Sequence, residues 1–254
     1  MNENPARLAT VPRNSAEMAD PPSPAEAVGL LEAAEAHSED LALFVWLVMV
    51  TGVRRGELCA LRWTDVDVAE QDLLIERAYA VRRGEKAIKT TKTHQKRRLA
   101  VDSGTLELVA DHLERCRERA EYEVGVLEED GHIFSRDGFG ELPWNLDVVS
   151  HQFSEVAEAA GLDCTTWSLR HYNATQMLTG GIDVRTAAGR LGHSGGGSIT
   201  LKVYAHRTRP ADQRAAEMLA SSLRRRRDPG LSAWPGGSAF DREGWAGHVR
   251  SWRA

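Results

Sequence analysis

Four separated segments carry side chains suited to holding an anionic phosphorus centre. An arginine can bind two phosphate oxygens at once through its planar guanidinium, which a lysine cannot do. Histidine and tyrosine add hydrogen-bond donors to such a site. The segments are 51–58, 167–171, 191–194 and 199–206, and they contribute Arg54, the adjacent Arg170 and His171, His193 and Tyr204. Together these residue types indicate chemistry at a phosphate group.

Each segment also has an ordinary structural interpretation when it is taken alone. Arg54 could form a salt bridge with Glu57, and the adjacent arginine and histidine of the second segment could lie exposed near a helix N-terminus. A single histidine such as His193 is more often structural than catalytic. Tyr204 could bury its ring and leave its hydroxyl at the surface. The functional interpretation therefore depends on all four segments occurring together.

Predicted helices position most of these segments. Ser23 precedes Pro24 and Glu26, which is the pattern of a capping serine, a first-turn proline and a capping-box glutamate, and it predicts a helix over 23–37. The apolar residues 41–50 predict a buried second helix. Ser38 or Asp40 is predicted to cap this second helix, and Gly52 to end it. Further helices are predicted over 103–122, where Ser103 is the expected cap, and over 145–160, 167–179, 183–191 and 210–226.

A small sheet is predicted between the second helix and the helix over 103–122. Short aliphatic pieces at 73–75, 78–81, 87–88 and 99–101 are separated by Arg83, Gly84 and a polar stretch. This pattern predicts about three antiparallel strands. The predicted fold class is therefore mainly α with a small three-stranded antiparallel β-sheet.

Charge is segregated along the chain. The net charge is −5, from 32 basic and 37 acidic residues, and taken alone it argues against a nucleic-acid partner. Residues 82–98, however, hold eight lysines or arginines and one acid, whereas 102–130 hold ten acids and three arginines. The basic segment indicates either DNA binding or a solvated strand edge protected by lysines. The candidate DNA-binding residues are Arg82, Arg83, Lys86, Lys89, Lys96, Arg97 and Arg98.

Composition excludes several classes of protein. The longest apolar run, 41–50, is too short to span a membrane, and no signal peptide is recognisable. Three cysteines, Cys59, Cys116 and Cys164, lie far apart without metal-ligand spacing, which disfavours both a disulfide framework and a zinc site. We therefore expect a cytoplasmic protein with no bound metal and no membrane association.

In order and spacing, four blocks resemble the tyrosine recombinase (phage integrase) family from about residue 23 to residue 207. The blocks are TGVRRGELCALRW (51–63), KTHQKRRLAV (92–101), SLRHYNATQMLTGGID (168–183) and LGHSGGGSITLKVYAH (191–206). The resemblance implies the family's catalytic-domain fold. It also implies a site-specific recombinase or integrase that cleaves and rejoins DNA through a covalent 3′-phosphotyrosine intermediate, without cofactor or metal.

The resemblance implies a role for each matching residue. Tyr204 would be the nucleophile, and Arg54 and Arg170 would stabilise the charge of the pentacoordinate phosphorus. Lys92, with Lys89 as its rival, would protonate the leaving oxygen. His193 would hydrogen-bond the phosphate, and Glu57 would buttress the site from behind.

Two departures from the family pattern affect the expected site. Trp167 stands where the family usually has histidine or lysine, and an indole cannot shuttle a proton, although His171 could compensate. Tyr204 lies eleven residues after His193, one or two more than usual, and the three glycines at 195–197 could absorb the difference.

The expected domain organisation is a linker-like segment over 1–22, a catalytic domain over 23–227 and a flexible tail over 228–254. We expect no core-binding domain before the catalytic one. The implied partners are double-stranded DNA, further copies of the chain in a tetramer on DNA, and accessory DNA-bending or directionality proteins. The arginines at 224–227 end a helix that packs either on a neighbouring protomer or on its own.

Two alternative functions remain open from the sequence. A non-catalytic or weakly active DNA-binding remnant of an integrase would fit Trp167 and the expected lack of a clamp domain. A type IB topoisomerase-like activity would use the same chemistry without exchanging partners.

Overall fold

Local capping determines the first two helices of the computed structural model, which describes residues 20–82, 85–90 and 96–193. Helix α1 spans Pro24–His37 and α2 spans Glu39–Thr51. Ser23 Oγ accepts from the backbone N–H of Glu26 at 3.3 Å, and Glu26 Oε2 accepts from the N–H of Ser23 at 2.7 Å. Ser38, rather than Asp40, caps α2. The predicted capping box is confirmed.

Helix α2 is the central element of the described fold. Its residues from Leu41 to Met49 are mostly buried, and it packs against α1 and against helices α4 (Ser103–Tyr122) and α6 (Thr166–Thr179). Gly52 ends it with a φ of +66°. A Cβ at Gly52 would also lie 2.5 Å from Asn173 Oδ1, so both the backbone conformation and the close approach require glycine here.

The described residues between α2 and α4 form five strands, whereas about three were predicted. The strands are β1 (Val66–Asp67), β2 (Asp72–Ile75), β3 (Arg77–Arg82), β4 (Glu85–Thr90) and β5 (Arg97–Ala100). A three-stranded antiparallel sheet has the order β1-β2-β5, and β3 and β4 form a separate antiparallel hairpin. The predicted three-stranded sheet is therefore confirmed, but the 78–81 and 87–88 pieces do not belong to it.

Burial explains why these strands form two groups. Leu73 and Leu99 pair across the three-stranded sheet and are each 1% exposed. The three-stranded sheet therefore packs against the hydrophobic core. Tyr79 pairs with Ile88 in the hairpin, and Ile88 remains 37% exposed. Strand β1 has two residues, too few to give a sequence signal.

The described residues form five further α-helices, and all but the first lie close to their predicted positions. They are α3 (Arg55–Cys59), α4 (Ser103–Tyr122), α5 (Leu146–Ala159), α6 (Thr166–Thr179) and α7 (Val184–Leu191). The prediction of Ser103 as the cap of α4 is wrong, because Asp102 Oδ1 accepts from the N–H of Thr105 at 3.0 Å. The five-residue α3 was not predicted, since one turn and a half shows no periodicity.

Other predicted regions lie outside the described residues. These are most of the linker-like segment 1–22, the helix over 210–226 and the tail over 228–254. The described residues fall within one compact unit, Met1–His206. Within the described ranges, no helix combines the length and apolar character needed to cross a membrane. The same ranges contain no cluster of three potential metal ligands. The mainly helical fold class with a small antiparallel sheet is confirmed.

Candidate active site

Arg54 lies at the junction between α2 and α3. It is the N-cap residue of α3, and its backbone N–H donates to Glu57 Oε2 at 2.9 Å. Its guanidinium donates to Glu57 Oε1 at 2.9 Å and to the carbonyl oxygen of Gly192 at 3.2 Å. The salt bridge to Glu57 that the sequence left open is therefore present. The side chain of Arg54 is nevertheless 42% exposed, so its position is fixed while solvent still reaches it.

Glu57 is a buried carboxylate that two arginines share. Arg97 Nη1 and Nη2 donate to its two oxygens at 3.1 and 2.8 Å, in addition to the bonds from Arg54. Burial alone would raise the pKa of Glu57, but the hydrogen bond and charge of Arg97, with those of Arg54, hold this pKa below its usual value. Glu57 is thus a fixed negative charge behind Arg54.

The position of Arg97 differs from the prediction of a DNA-contacting residue. Its side chain is 9% exposed, and its Nε donates to the carbonyl oxygen of Arg190 at 2.8 Å. Arg97 is the first residue of β5, where its side chain turns toward Glu57 rather than toward solvent. Sequence reasoning missed this role because a run of basic residues does not reveal which members have a buried carboxylate within reach.

Arg170 lies in α6 and is 4% exposed. Its Nη1 donates to the carbonyl oxygen of Gly52, and its Nη2 donates to that of Leu191. These carbonyls belong to the C-terminal ends of α2 and α7, where the helix dipoles favour a positive charge. Because Arg54 binds the carbonyl of Gly192, the two guanidinium groups are held by consecutive carbonyl groups.

His193 follows the end of α7 and is half-buried. Gly192 caps α7 with a φ of +63°, and the N–H of His193 donates to the carbonyl oxygen of Ala188 at 3.0 Å. Burial, and then the positive charges of Arg170, Arg54 and Arg97, lower the pKa of His193 to about 4. The imidazole is therefore neutral at neutral pH.

Trp167 and His171 lie one turn apart on α6, and their ring centroids are 3.6 Å apart. Trp167 is 44% exposed, whereas His171 is 4% exposed. Burial and the charge of Arg170 lower the pKa of His171 to about 4. The arginine and histidine that could have lain exposed at this helix start are both buried, and the tryptophan occupies the exposed position.

A cleft of about 890 Å³ brings five of the expected site residues together. Arg54, Glu57, Trp167, Arg170 and His193 all line it, and they come from three separate segments of the chain. His171 does not line this cleft. Lys92 and Tyr204, the expected general acid and nucleophile, lie outside the described residues.

One wall of the cleft depends on a glycine that sequence reasoning did not single out. A Cβ at Gly56 would lie 2.3 Å from the carbonyl oxygen of Tyr79, so α3 packs directly on the backbone of β3. This contact places the hairpin beside Arg54. The sequence does place this glycine between two charged residues, but only the fold shows that it allows close contact with a strand more than 20 residues away.

The predicted DNA-binding residues differ in their surroundings. Lys89 is exposed, Lys96 Nζ lies 2.7 Å from Glu76 Oε2, and Arg98 Nη1 lies 3.3 Å from Asp67 Oδ2. The side chains of Lys96 and Arg98 are more than half exposed, so these surface pairs leave them accessible. Arg82 and Lys86 belong to β3 and β4, and Arg83 lies outside the described residues.

Solved structures with this fold include recombinases. The crystal structure of XerA recombinase aligns over 89% of this chain and 70% of its own, with a TM-score of 0.58 and 21% identity. The Tn1549 transposon integrase in complex with a circular intermediate DNA aligns over 82% of this chain and 68% of its own, with a TM-score of 0.67 and 18% identity. These likenesses concern the fold.

Sequence comparison gives the family. The XerC-like tyrosine recombinase of Caldanaerobacter subterraneus is 28% identical over 181 residues, which are 65% of this chain and 45% of the relative. The tyrosine recombinase XerA of Thermococcus onnurineus is 30% identical over 175 residues, 68% of this chain and 54% of the relative. The chain thus spans about half the length of these relatives. The model of the phage integrase family matches residues 23–210, and the chain therefore belongs to that family.

Proposed function

We propose that this chain is the catalytic domain of a site-specific DNA recombinase that cleaves and rejoins strands through Tyr204. One observation carries the proposal: Arg54 and Arg170 are held by the consecutive carbonyl groups of Gly192 and Leu191, at one cleft. Two guanidinium groups that line one cleft repel each other, and an anion bound there relieves that repulsion. A pentacoordinate phosphorane carries more negative charge on its equatorial oxygens than the ground-state diester, so such a pair stabilises the transition state preferentially.

The proposed reaction begins with attack of the Tyr204 oxygen on a DNA phosphate. The phenolic proton of Tyr204 is lost to solvent as the new O–P bond forms, the P–O bond to the 5′ oxygen breaks, and Lys92 gives that oxygen a proton. The resulting 3′-phosphotyrosine keeps the energy of the phosphodiester, so rejoining needs no nucleotide cofactor. The neutral imidazole of His193 donates a hydrogen bond to a phosphate oxygen without adding charge.

Glu57 supports this site through Arg54. Its carboxylate fixes both the backbone N–H and the guanidinium of Arg54, and Arg97 fixes the carboxylate in turn. A preorganised guanidinium loses little entropy when the phosphate arrives, which is the main advantage of holding it in advance. Glu57 and Arg97 are therefore positioning residues in this proposal.

The proposed substrate is double-stranded DNA. Lys89 in β4, Lys96 just before β5 and Arg98 in β5 are exposed, and they supply cations for phosphate contacts. A tetramer on DNA, accessory DNA-bending or directionality proteins and a cytoplasmic location complete the proposal. The Tn1549 integrase, which shares the fold, was solved with DNA.

Trapping of the covalent intermediate tests this function. The protein is incubated with a pool of nicked duplexes of randomised sequence, in which the nick lets the short 5′-hydroxyl fragment diffuse away. We expect a labelled protein–DNA adduct on a denaturing gel that disappears in Tyr204→Phe. Arg170→Lys is expected to reduce adduct formation about 100-fold, while duplex binding changes little. An adduct of undiminished yield in Tyr204→Phe contradicts the proposal.

Trp167 favours one second candidate, a DNA-binding domain without cleavage activity. Its indole is exposed in the cleft and covers His171, and it cannot exchange a proton with a leaving oxygen. This candidate predicts duplex binding that weakens steeply with added salt, and no adduct at any protein concentration.

A further inference from the structure

A second cluster of titratable side chains lies between α2 and α4, outside the candidate active site. His112 is its centre and is 1% exposed. Its Nδ1 lies 3.1 Å from Asp40 Oδ1, and its Nε2 lies 2.8 Å from the carbonyl oxygen of Ile133. Both neighbours are acceptors, and only the imidazolium carries a proton on each ring nitrogen. The geometry therefore indicates a positively charged His112.

Cys116 lies one turn after His112 on the same face of α4. Its Sγ is 3.6 Å from His112 Nε2, and Arg119 Nη2 donates to it at 3.2 Å. Arg119 Nη1 also lies 2.6 Å from Asp40 Oδ2, which orients the guanidinium across the sulfur. The guanidinium of Arg119 thus donates to the sulfur, and the imidazole of His112 lies beside it, an arrangement of two cations that stabilises the thiolate relative to the thiol.

The other two cysteines of the chain provide an internal contrast. Cys59 is 0% and Cys164 is 8% exposed, and burial raises the pKa of their thiols to about 12 and about 11. Cys116 is only half-buried. Burial would raise the pKa of Cys116 too, but its hydrogen bond to His112 and the charges of His112 and Arg119 lower it overall. The three thiols of this chain therefore differ in both exposure and ionisation.

Cys116 lines a cavity of about 200 Å³. Its titratable lining groups are Asp40, His112, Cys116, Arg119, Glu123, His132, Arg136 and Asp137. Burial and nearby arginines lower the pKa of His132 to about 4, so it is neutral, and the carboxylate of Asp137 accepts from backbone N–H groups of its own loop. Asp40 and Glu123 are the other two acidic residues that line the cavity. The volume accommodates a small electrophile such as hydrogen peroxide next to the sulfur.

We propose that Cys116 is a modification site for peroxides, independent of DNA cleavage. The thiol releases its proton to solvent, the thiolate attacks one peroxide oxygen, an S–O bond forms and the O–O bond breaks. The hydroxide that leaves takes up an equivalent proton from solvent and becomes water. Sulfur is oxidised by two electrons to the sulfenic acid, and the peroxide is reduced to water. Arg119 and His112 are the positioning residues that keep the sulfur ionised.

Alkylation of the full chain with iodoacetamide measures the ionisation of each thiol. The rate at each cysteine is followed against pH by peptide mass spectrometry. We expect the alkylation rate of Cys116 to reach half its maximum at a pH below about 8.5, the pKa of an ordinary thiol. We expect no labelling of Cys59 or Cys164 in the folded protein. A midpoint at or above that ordinary value overturns the proposal.

Two matched variants on α4 separate the specific contact from general surface charge. Arg119→Gln removes one of the two cations, and we expect the alkylation rate at about pH 7 to fall about threefold to tenfold. Arg117→Gln removes an arginine whose Nη1 lies 2.6 Å from Glu114 Oε1, and we expect no change. Equal rates in both variants contradict the role of Arg119.

Hydrogen peroxide is then used as the oxidant, with dimedone to trap the sulfenic acid. We expect a dimedone adduct at Cys116 and none at Cys59 or Cys164. The adduct yield is expected to fall in Arg119→Gln and to remain unchanged in Arg117→Gln. Absence of an adduct at Cys116 under conditions that label free cysteine contradicts the proposal, whatever the result for DNA cleavage.

Discussion

Glu57 and Arg97 form a bidentate ion pair in which two guanidinium nitrogens donate to the two carboxylate oxygens at 3.1 and 2.8 Å. The pair joins α3 to β5, and its members are 40 residues apart in the chain. The same carboxylate holds Arg54, so the position of an exposed cleft residue depends on a buried one. A strand of the small sheet thereby contributes to the geometry of the candidate active site.

Replacement of Arg97 with methionine tests the importance of this pair for stability. Glu57 would remain buried with Arg54 as its partner, and a buried charge that loses one partner is costly. We expect Arg97→Met to reduce the free energy of unfolding by about 3 kcal/mol, measured by urea denaturation. The adduct yield in the trapping assay is expected to fall as well, because Arg97 no longer fixes the Glu57 carboxylate that holds Arg54.

The neighbouring Arg98 provides the control for that substitution. Its side chain is 55% exposed and lies 3.3 Å from Asp67 Oδ2. Exposed ion pairs contribute little, so we expect Arg98→Met to change the free energy of unfolding by less than about 1 kcal/mol. Similar losses in both variants would show that the Glu57 pair has no special contribution.

Gly192 is expected to be intolerant of alanine. Its φ of +63° disfavours any side chain, and a Cβ would lie 2.8 Å from Arg97 Nη1. We expect Gly192→Ala to lower the free energy of unfolding by about 1–2 kcal/mol, measured by thermal or urea denaturation. Gly189→Ala is the matched control, because Gly189 lies within α7 and a Cβ added there would meet no atom within 4 Å. That change is expected to stabilise the protein by about 0.5–1 kcal/mol, and a loss of stability there equal to that of Gly192→Ala would refute the argument.

The helices were predictable because their signals are local. Ser23 and Ser38 cap helices through contacts three residues away, and the apolar residues that follow identify α2 as buried. The cap of α4 was assigned one residue late, since Ser103 and Asp102 are both good caps and sequence alone does not rank them. The division of the strands into two groups was not predictable, because strand pairing depends on residues far apart in the chain.

The candidate site was predictable in its residues but not in its connections. Arg54, Arg170 and His193 were singled out, and they do share a cleft. The role of Arg97 could not be predicted, because it depends on the distance from β5 to a carboxylate in α3. Sequence shows which charges are present, whereas the fold decides which of them are neutralised.

Stability is expected to fall as the pH decreases from about 6.5 toward 4. Burial, with nearby arginines, lowers the pKa of His132 and His171 to about 4 in the folded protein. The unfolded chain, with histidine pKa values near about 6.5, therefore binds more protons over this range, and acid favours unfolding. We expect a loss of about 1–2 kcal/mol per histidine between about pH 7 and pH 5, measured by urea denaturation at each pH.

Substitution of one histidine tests that assignment. His171→Gln is expected to make the loss of stability between about pH 7 and pH 5 smaller by about 1–2 kcal/mol. His151, whose side chain is 78% exposed, provides the control, and His151→Gln is expected to leave the pH dependence unchanged. An identical pH dependence in His171→Gln and the unmodified protein would contradict the lowered pKa.

Trp167→His is expected to accelerate DNA cleavage if the proposed function is correct. Trp167 lines the cleft, and its side chain is 44% exposed, so a smaller ring fits without disturbing the core. An imidazole at this position can accept and donate a proton, which indole cannot do. A positioned acid–base group raises the rate of the chemical step by about 100-fold or more. We expect the rate of adduct formation to rise at least about 10-fold and to become dependent on pH between about 5.5 and 7.5. Trp167→Phe removes the indole without adding a titratable group, so it is expected to show neither effect, and an equal acceleration in both variants would assign the change to the loss of bulk.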